Sequence, residues 1–142
     1  MRILHVTAAA AAGLLVGVTG VAAMAPAPAP LRPLSERDQT SAHSSGCQLS
    51  FDAGRSTLVY VIGNEFMIRT GRGRTICRIS DAQFGALSDG GSQSCGGYQI
   101  TIRRTGRVIG NEASDSASGP ATLTVAGRGQ PWMVRGHWGS AC

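Results

Sequence analysis

Apolar and polar residues alternate in short runs through the second half of this chain. TLVYVI (residues 57–62), EFMIRT (65–70), RTICRI (74–79), YQITIRR (98–104), ATLTVA (121–126) and WMVRGHW (132–138) all read as strands. In residues 65–70, Phe66 and Ile68 point to one face and Met67 and Arg69 to the other; in residues 98–104, Ile100 and Ile102 lie opposite Gln99, Thr101 and Arg103. The connections are short and contain glycine: Gly63-Asn64, Thr70-Gly71-Arg72-Gly73, Thr105-Gly106 and Gly127-Arg128-Gly129-Gln130. Gaps of this length imply antiparallel neighbours, because a parallel crossover needs about a dozen residues or more. The tetrapeptide RTGR, present at residues 69–72 and 104–107, is on this reading the same hairpin tip used twice. One stretch breaks the rhythm. In SDAQFGALSDGG (residues 80–91) Ser80 and Gln83 form a capping-box pattern and two glycines stop the turn, so a single helical turn or short helix is expected.

Ahead of the alternating region the chain changes character twice. Met1-Arg2 precedes an uncharged apolar run over residues 6–25 that ends in small residues, the pattern of a secretory signal cut after Ala23 or Ala25. An uncleaved anchor is the competing reading, since the run approaches the roughly 20 residues that span a bilayer. Residues 1–25 are therefore assigned to a signal peptide, with no stable membrane span left after cleavage. Residues 26–46 hold four of the six prolines and then a polar Ser-rich stretch, which predicts a disordered tether carrying a solvated His43.

All four cysteines, Cys47, Cys77, Cys95 and Cys142, fall in residues 47–142 and occupy both ends of that span. An even number in an exported chain reads as two disulfides, with three possible pairings. Cys47 to Cys142 and Cys77 to Cys95 is the favoured pairing, because the first clamps the end strands and the second closes a local loop. The expected fold is all-β: a small antiparallel β-barrel or sandwich with one short helical turn, stapled by disulfides. A barrel is preferred because a bridge between the termini helps to close it. The localisation that follows is periplasmic or secreted.

Charge adds a candidate surface. The chain contains 13 arginines and no lysine against 8 acids, a formal net charge of +5. Arg69, Arg72, Arg74, Arg78, Arg103, Arg104 and Arg107 crowd two predicted hairpins, and forked guanidinium groups set side by side suit carboxylate or phosphate. The partner expected is an anionic lipid, a glycan or an acidic protein of the envelope; a solvated basic face is the competing reading. Nucleic acid is not expected, since no nucleic-acid motif occurs and aromatic residues for stacking are few. No metal or cofactor is implied: there is no C-x-x-C, and only His137 lies near a cysteine. A Ser-His-Asp set can be drawn from Ser116 or Ser118, His137 and Asp115, without a G-x-S-x-G pattern to support it, so no enzyme is expected.

The final segment, with SASG at residues 116–119, a strand, a glycine turn, another strand and a terminal cysteine, resembles small bacterial envelope β-barrels such as the membrane-bound inhibitors of c-type lysozyme. That resemblance implies a non-catalytic binding module in which a serine-containing loop, here at Ser116 or Ser118, enters a hydrolase cleft. The family's lysine has no counterpart in this chain. The sequence thus points to an exported non-catalytic binding module of the bacterial envelope, with an inhibitor of a lysozyme-like hydrolase as the alternative.

Overall fold

A computed structural model describes residues 28–142; the predicted signal segment lies outside them. The elements in chain order are β1 (Leu31–Arg32), α1 (Glu36–Thr40), β2 (Gln48–Ala53), β3 (Ser56–Ile62), β4 (Glu65–Thr70), β5 (Gly73–Arg78), α2 (Asp81–Ser88), β6 (Gly91–Cys95), β7 (Tyr98–Arg104), β8 (Ile109–Asn111), a 3-10 turn at Glu112–Ser114, β9 (Ser116–Ala126) and β10 (Trp132–Ala141). The strands form one curled antiparallel sheet, a half-barrel, in the order β1-β4-β3-β2-β10-β9-β7-β6, with β5 on β4 and β8 on β9.

Alternation sorts each strand into an inner and an outer set of side chains. Phe51, Val59, Val61, Phe66, Ile68, Ile100, Ile102, Leu123, Val125 and Trp138 point inward and form the main core. Each large apolar side chain buried in this way contributes about 1.5–3 kcal/mol. The helix α2 packs Leu87 and Phe84 against the core of the half-barrel, and its N-terminus has the expected capping box between Ser80 and Gln83. Leu87 of this helix is buried, and its carbonyl accepts the indole N–H of Trp138 at 2.8 Å. Arg104 donates to the carbonyls of Ser88 and Trp138 at 2.8 and 2.9 Å, tying the helix C-terminus, where a cation is favoured, to β10.

Both disulfides have the favoured pairing. Cys47–Cys142 joins the start of β2 to the end of β10, with Cα atoms 4.2 Å apart. Cys77–Cys95 draws together β5 and β6, the two outermost strands of the curled sheet, with Cα atoms 5.7 Å apart. A domain stapled twice belongs to an oxidising, extracytoplasmic environment. No helix among the described residues is long and apolar enough to cross a membrane.

Three expectations need correction. Residues 31–46 are an ordered strap rather than a disordered tether, and the folded unit begins near Leu31 rather than at Cys47. Leu31, Leu34 and Asp38 are buried, β1 pairs with β4, and Ser35 caps α1, a second helical element where one was expected. The strap has too little apolar surface to fold alone; the barrel supplies it in Tyr60 and Met67, which point outward from β3 and β4 against Leu34. The second correction concerns RTGR. Its first copy is a hairpin tip between β4 and β5, but at Thr105-Gly106 the chain does not reverse. There β7 and β8 lie end to end along one edge of β9, interrupted opposite Pro120. Proline has no N–H to give to that edge, and its carbonyl takes the Thr105 N–H at 2.9 Å, so the ladder opens and the chain loops out. Third, the arginines of the two RTGR segments do not form one surface, as their individual positions show.

Candidate functional site

The strap divides the outer face of the sheet into a covered half and an open half. On the covered half, Met67 is fully buried and the Tyr60 hydroxyl donates to Gln48 Oε1 at 2.6 Å, its pKa raised by burial. The carboxylate of Glu65, also buried, accepts the backbone N–H groups of His43 and Ser44 at 2.9 and 3.4 Å. Arg69 holds Asp38 in a two-pronged pair, Nη2 to Oδ1 at 2.6 Å and Nε to Oδ2 at 3.0 Å. The Arg69 guanidinium, opposed by burial and helped by the Ser35 N–H and hydroxyl, holds the Asp38 carboxyl far below the usual carboxylate range. Arg74 bonds the Ser41 hydroxyl, and Arg78 reaches Asn64 Oδ1 at 2.9 Å. Two arginines of the first hairpin, Arg69 and Arg74, therefore fasten the strap directly, while Arg78 braces Asn64, which also accepts the Ser44 hydroxyl of the strap.

The open half runs over β2, β10, β9 and β7. Antiparallel register sets its outward residues in rows across the strands. Arg103, Thr122 and Arg135 make one row, with Arg103 paired to Thr122 and Thr122 to Arg135. The next row holds Pro120, His137 and Asp52; a third holds Ser118, Gly139 and Ser50; a fourth holds Ser116, Ala141 and Gln48. Adjacent strands lie about 4.8 Å apart, so the Arg103 and Arg135 backbones are about 10 Å apart. That spacing suits two charges along a polymer better than one anion held from both sides. Arg103, Arg135, His137 and Ser118 are all exposed.

β7, β9 and β10 contain no carboxylate at all. The nearest one, Asp52, already accepts the hydroxyls of Ser50 and Thr57 at 2.9 and 2.6 Å. A recess of about 150 Å³ lies along β10, walled by Gln48, Ser50, Ser116 and Ser118 and ending at Asp52 and His137. Gly139 keeps its floor low, because a Cβ there would come within 2.9 Å of the Ser118 Cβ. The chemistry presented is a line of hydroxyl groups that ends at Asp52 and His137, one row short of the Arg103–Arg135 pair.

The remaining sequence-derived candidates are dispersed. Arg72 stands at the tip of the β4–β5 hairpin, Arg104 is spent inside the barrel, and Arg107 is exposed on the loop between β7 and β8. Ser116 shares a hydrogen bond with Ser114 at 2.7 Å. Of the drawn triad, Ser118 and His137 reach the same face, but Asp115 sits at a left-handed turn outside the row, and the carboxylate across from His137 is that of Asp52. Among the described residues the His137 side chain hydrogen-bonds neither Ser118 nor Asp52. Sequence reasoning did not single out Arg135 as a site residue. The signal was present in WMVRGHW, where alternation puts Arg135 and His137 opposite Trp132, Val134 and Trp138.

No protein-family model, curated protein or solved structure matches this chain.

Proposed function

We propose that this protein is an exported, non-catalytic binding module of the bacterial envelope, periplasmic or secreted, whose open sheet face takes an acidic glycan. The observation that carries the reading is the Arg103–Thr122–Arg135 row, free of acids on three neighbouring strands and one row away from a recess walled mainly by hydroxyl groups. Guanidinium groups would pair with carboxylate or phosphate substituents while Ser50, Ser116 and Ser118 exchange hydrogen bonds with sugar hydroxyls. Among the anionic partners that the charge suggests, a glycan is favoured over a lipid surface because the recess beside the arginine row is walled by hydroxyl and amide groups, while the exposed Met133 and Ile109 stand singly on that face.

The test is retention of the oxidised protein on immobilised polygalacturonate, with neutral dextran as control. Expected are retention on the polyuronate alone, its loss at high salt, and its loss in an Arg103→Gln/Arg135→Gln variant. Equal retention of that variant would reject the reading.

A second reading, inhibition of a lysozyme-like hydrolase, rests on a different feature. Residues 107–115 form a wholly exposed finger beside β9, carrying Glu112 and Asp115 at its tip. Stoichiometric inhibition that survives moderate salt and disappears on shortening residues 112–115 would favour this alternative.

A further inference from the structure

The barrel is charged unequally along its axis. At the end opposite α2 lie β1 and the β2–β3, β4–β5, β6–β7 and β9–β10 turns, which carry Arg32, Arg55, Arg72 and Arg128 and no acid. The α2 end is mixed, with Asp81 and Asp89 beside Arg78 and Arg104, and the turn before β9 holds Glu112 and Asp115. A recess of about 250 Å³ opens at the cationic mouth, lined by Thr70, Gly71, Arg72, Gly96, Gly97, Tyr98 and Arg128. The geometry points to this recess as a site for a single oxyanion, a carboxylate or phosphate group, distinct from the open sheet face.

Three features support it. Arg72 and Arg128 reach the recess from separate turns, and among the described residues neither guanidinium has an ion pair or a side-chain hydrogen bond. Two cations brought together without a counter-ion are mutually repulsive, and an anion between them relieves that cost. Next, the β6–β7 turn consists of Gly96 and Gly97, both at positive φ (62° and 83°), which is the backbone of a tight two-residue hairpin. A Cβ at Gly97 would meet nothing within 4 Å, so the lip is open and bare on that side. Finally, the Tyr98 ring is seated on Gly127, where a Cβ would come within 2.7 Å of the ring; this fixes one wall of the recess. The arginines lie on the turns and can close on an anion of either shape, whereas the walls do not need to move.

The test uses the folded, oxidised protein and two probes, acetate and inorganic phosphate, titrated at constant ionic strength while the amide signals of Gly96, Gly97 and Tyr98 are followed by NMR. Saturable shifts with at least one probe are expected. Apparent affinity should fall about tenfold or more in Arg72→Gln/Arg128→Gln, since each arginine contributes charge-assisted hydrogen bonds, and should be unchanged in Arg103→Gln/Arg135→Gln. Saturation by acetate alone identifies a carboxylate ligand, by phosphate alone a phosphate ligand, and by both an unselective oxyanion site. Absent or non-saturating shifts, or shifts that persist in Arg72→Gln/Arg128→Gln while Trp138 and Ile100 keep their native signals, would overturn the site. The open-face reading is unaffected by that result, because its two arginines are held constant.

Discussion

The covered and open halves of the outer face are made from the same two-residue alternation and differ only in what the alternation points outward. On β3 and β4 the outward residues include Tyr60, Met67 and Glu65, all buried beneath the strap. On β9 and β10 they include Ser118, Thr124, Arg135 and His137, which water can solvate, together with an exposed Met133 and a buried Thr122. The position of the strap is therefore written into the barrel at least as firmly as into the strap itself. The arginines follow the same division: Arg69, Arg74 and Arg78 are engaged where the face is covered, and among the described residues Arg103 and Arg135 have no ion pair or side-chain hydrogen bond where it is open.

The most disruptive test removes the staple that ties the start of β2, where the strap ends, to the end of β10. Replacing Cys47 and Cys142 together by serine opens a loop with a sequence separation of 95. A stability loss of about 4–5 kcal/mol in urea unfolding is expected from the chain-entropy account. The difference between the halves appears next in paired substitutions. Met67→Ala removes a fully buried outward side chain and should cost about 2–5 kcal/mol, while Arg135→Ala on the open half should change stability by no more than about 0.5 kcal/mol. Equal costs would mean that the halves are not packed differently.

A smaller effect is expected from pH. The Asp38 carboxyl has its pKa depressed on folding, chiefly by Arg69, so its contribution is complete above the ordinary aspartate range and is lost as pH falls towards the folded value. Hydrogen exchange at the Leu34 amide, which donates to Thr57 across the strap, should therefore accelerate below about pH 4 once corrected for intrinsic rates. Asp38→Asn should show the faster exchange already at neutral pH, with amides of β9 and β10 unaffected. Uniform acceleration across both halves would remove the distinction.

Much of the barrel was legible in the sequence because its strands carry their own signal. The runs at residues 65–70 and 98–104 coincide with β4 and β7 residue for residue, and the Ser80–Gln83 box marks the start of α2. Strands formed by pairing alone were not legible. GSQSC of β6 has no apolar alternation, yet it is held by β7 along its length and by the Cys77 bridge at its end. QLSFDA of β2 does alternate, but six residues with polar flanks give a weak pattern. The strap and the second RTGR were misread for one shared reason. Local composition describes what a segment does alone, whereas Tyr60, Met67 and Pro120, all distant in sequence, decide what these segments do. The candidate site was half legible: Arg103, Ser116 and Ser118 were identified, but placing them beside Arg135 and His137 required the register of β9 with both of its neighbours.

The most direct test of the open face is an amide NMR map of the folded protein titrated with polygalacturonate. The account predicts saturable shifts at Arg103, Ser118, Thr122, Arg135 and His137, absent from Leu34 and Met67 and abolished by high salt. Shifts confined to the finger at residues 107–115, or no shifts at all, would contradict it.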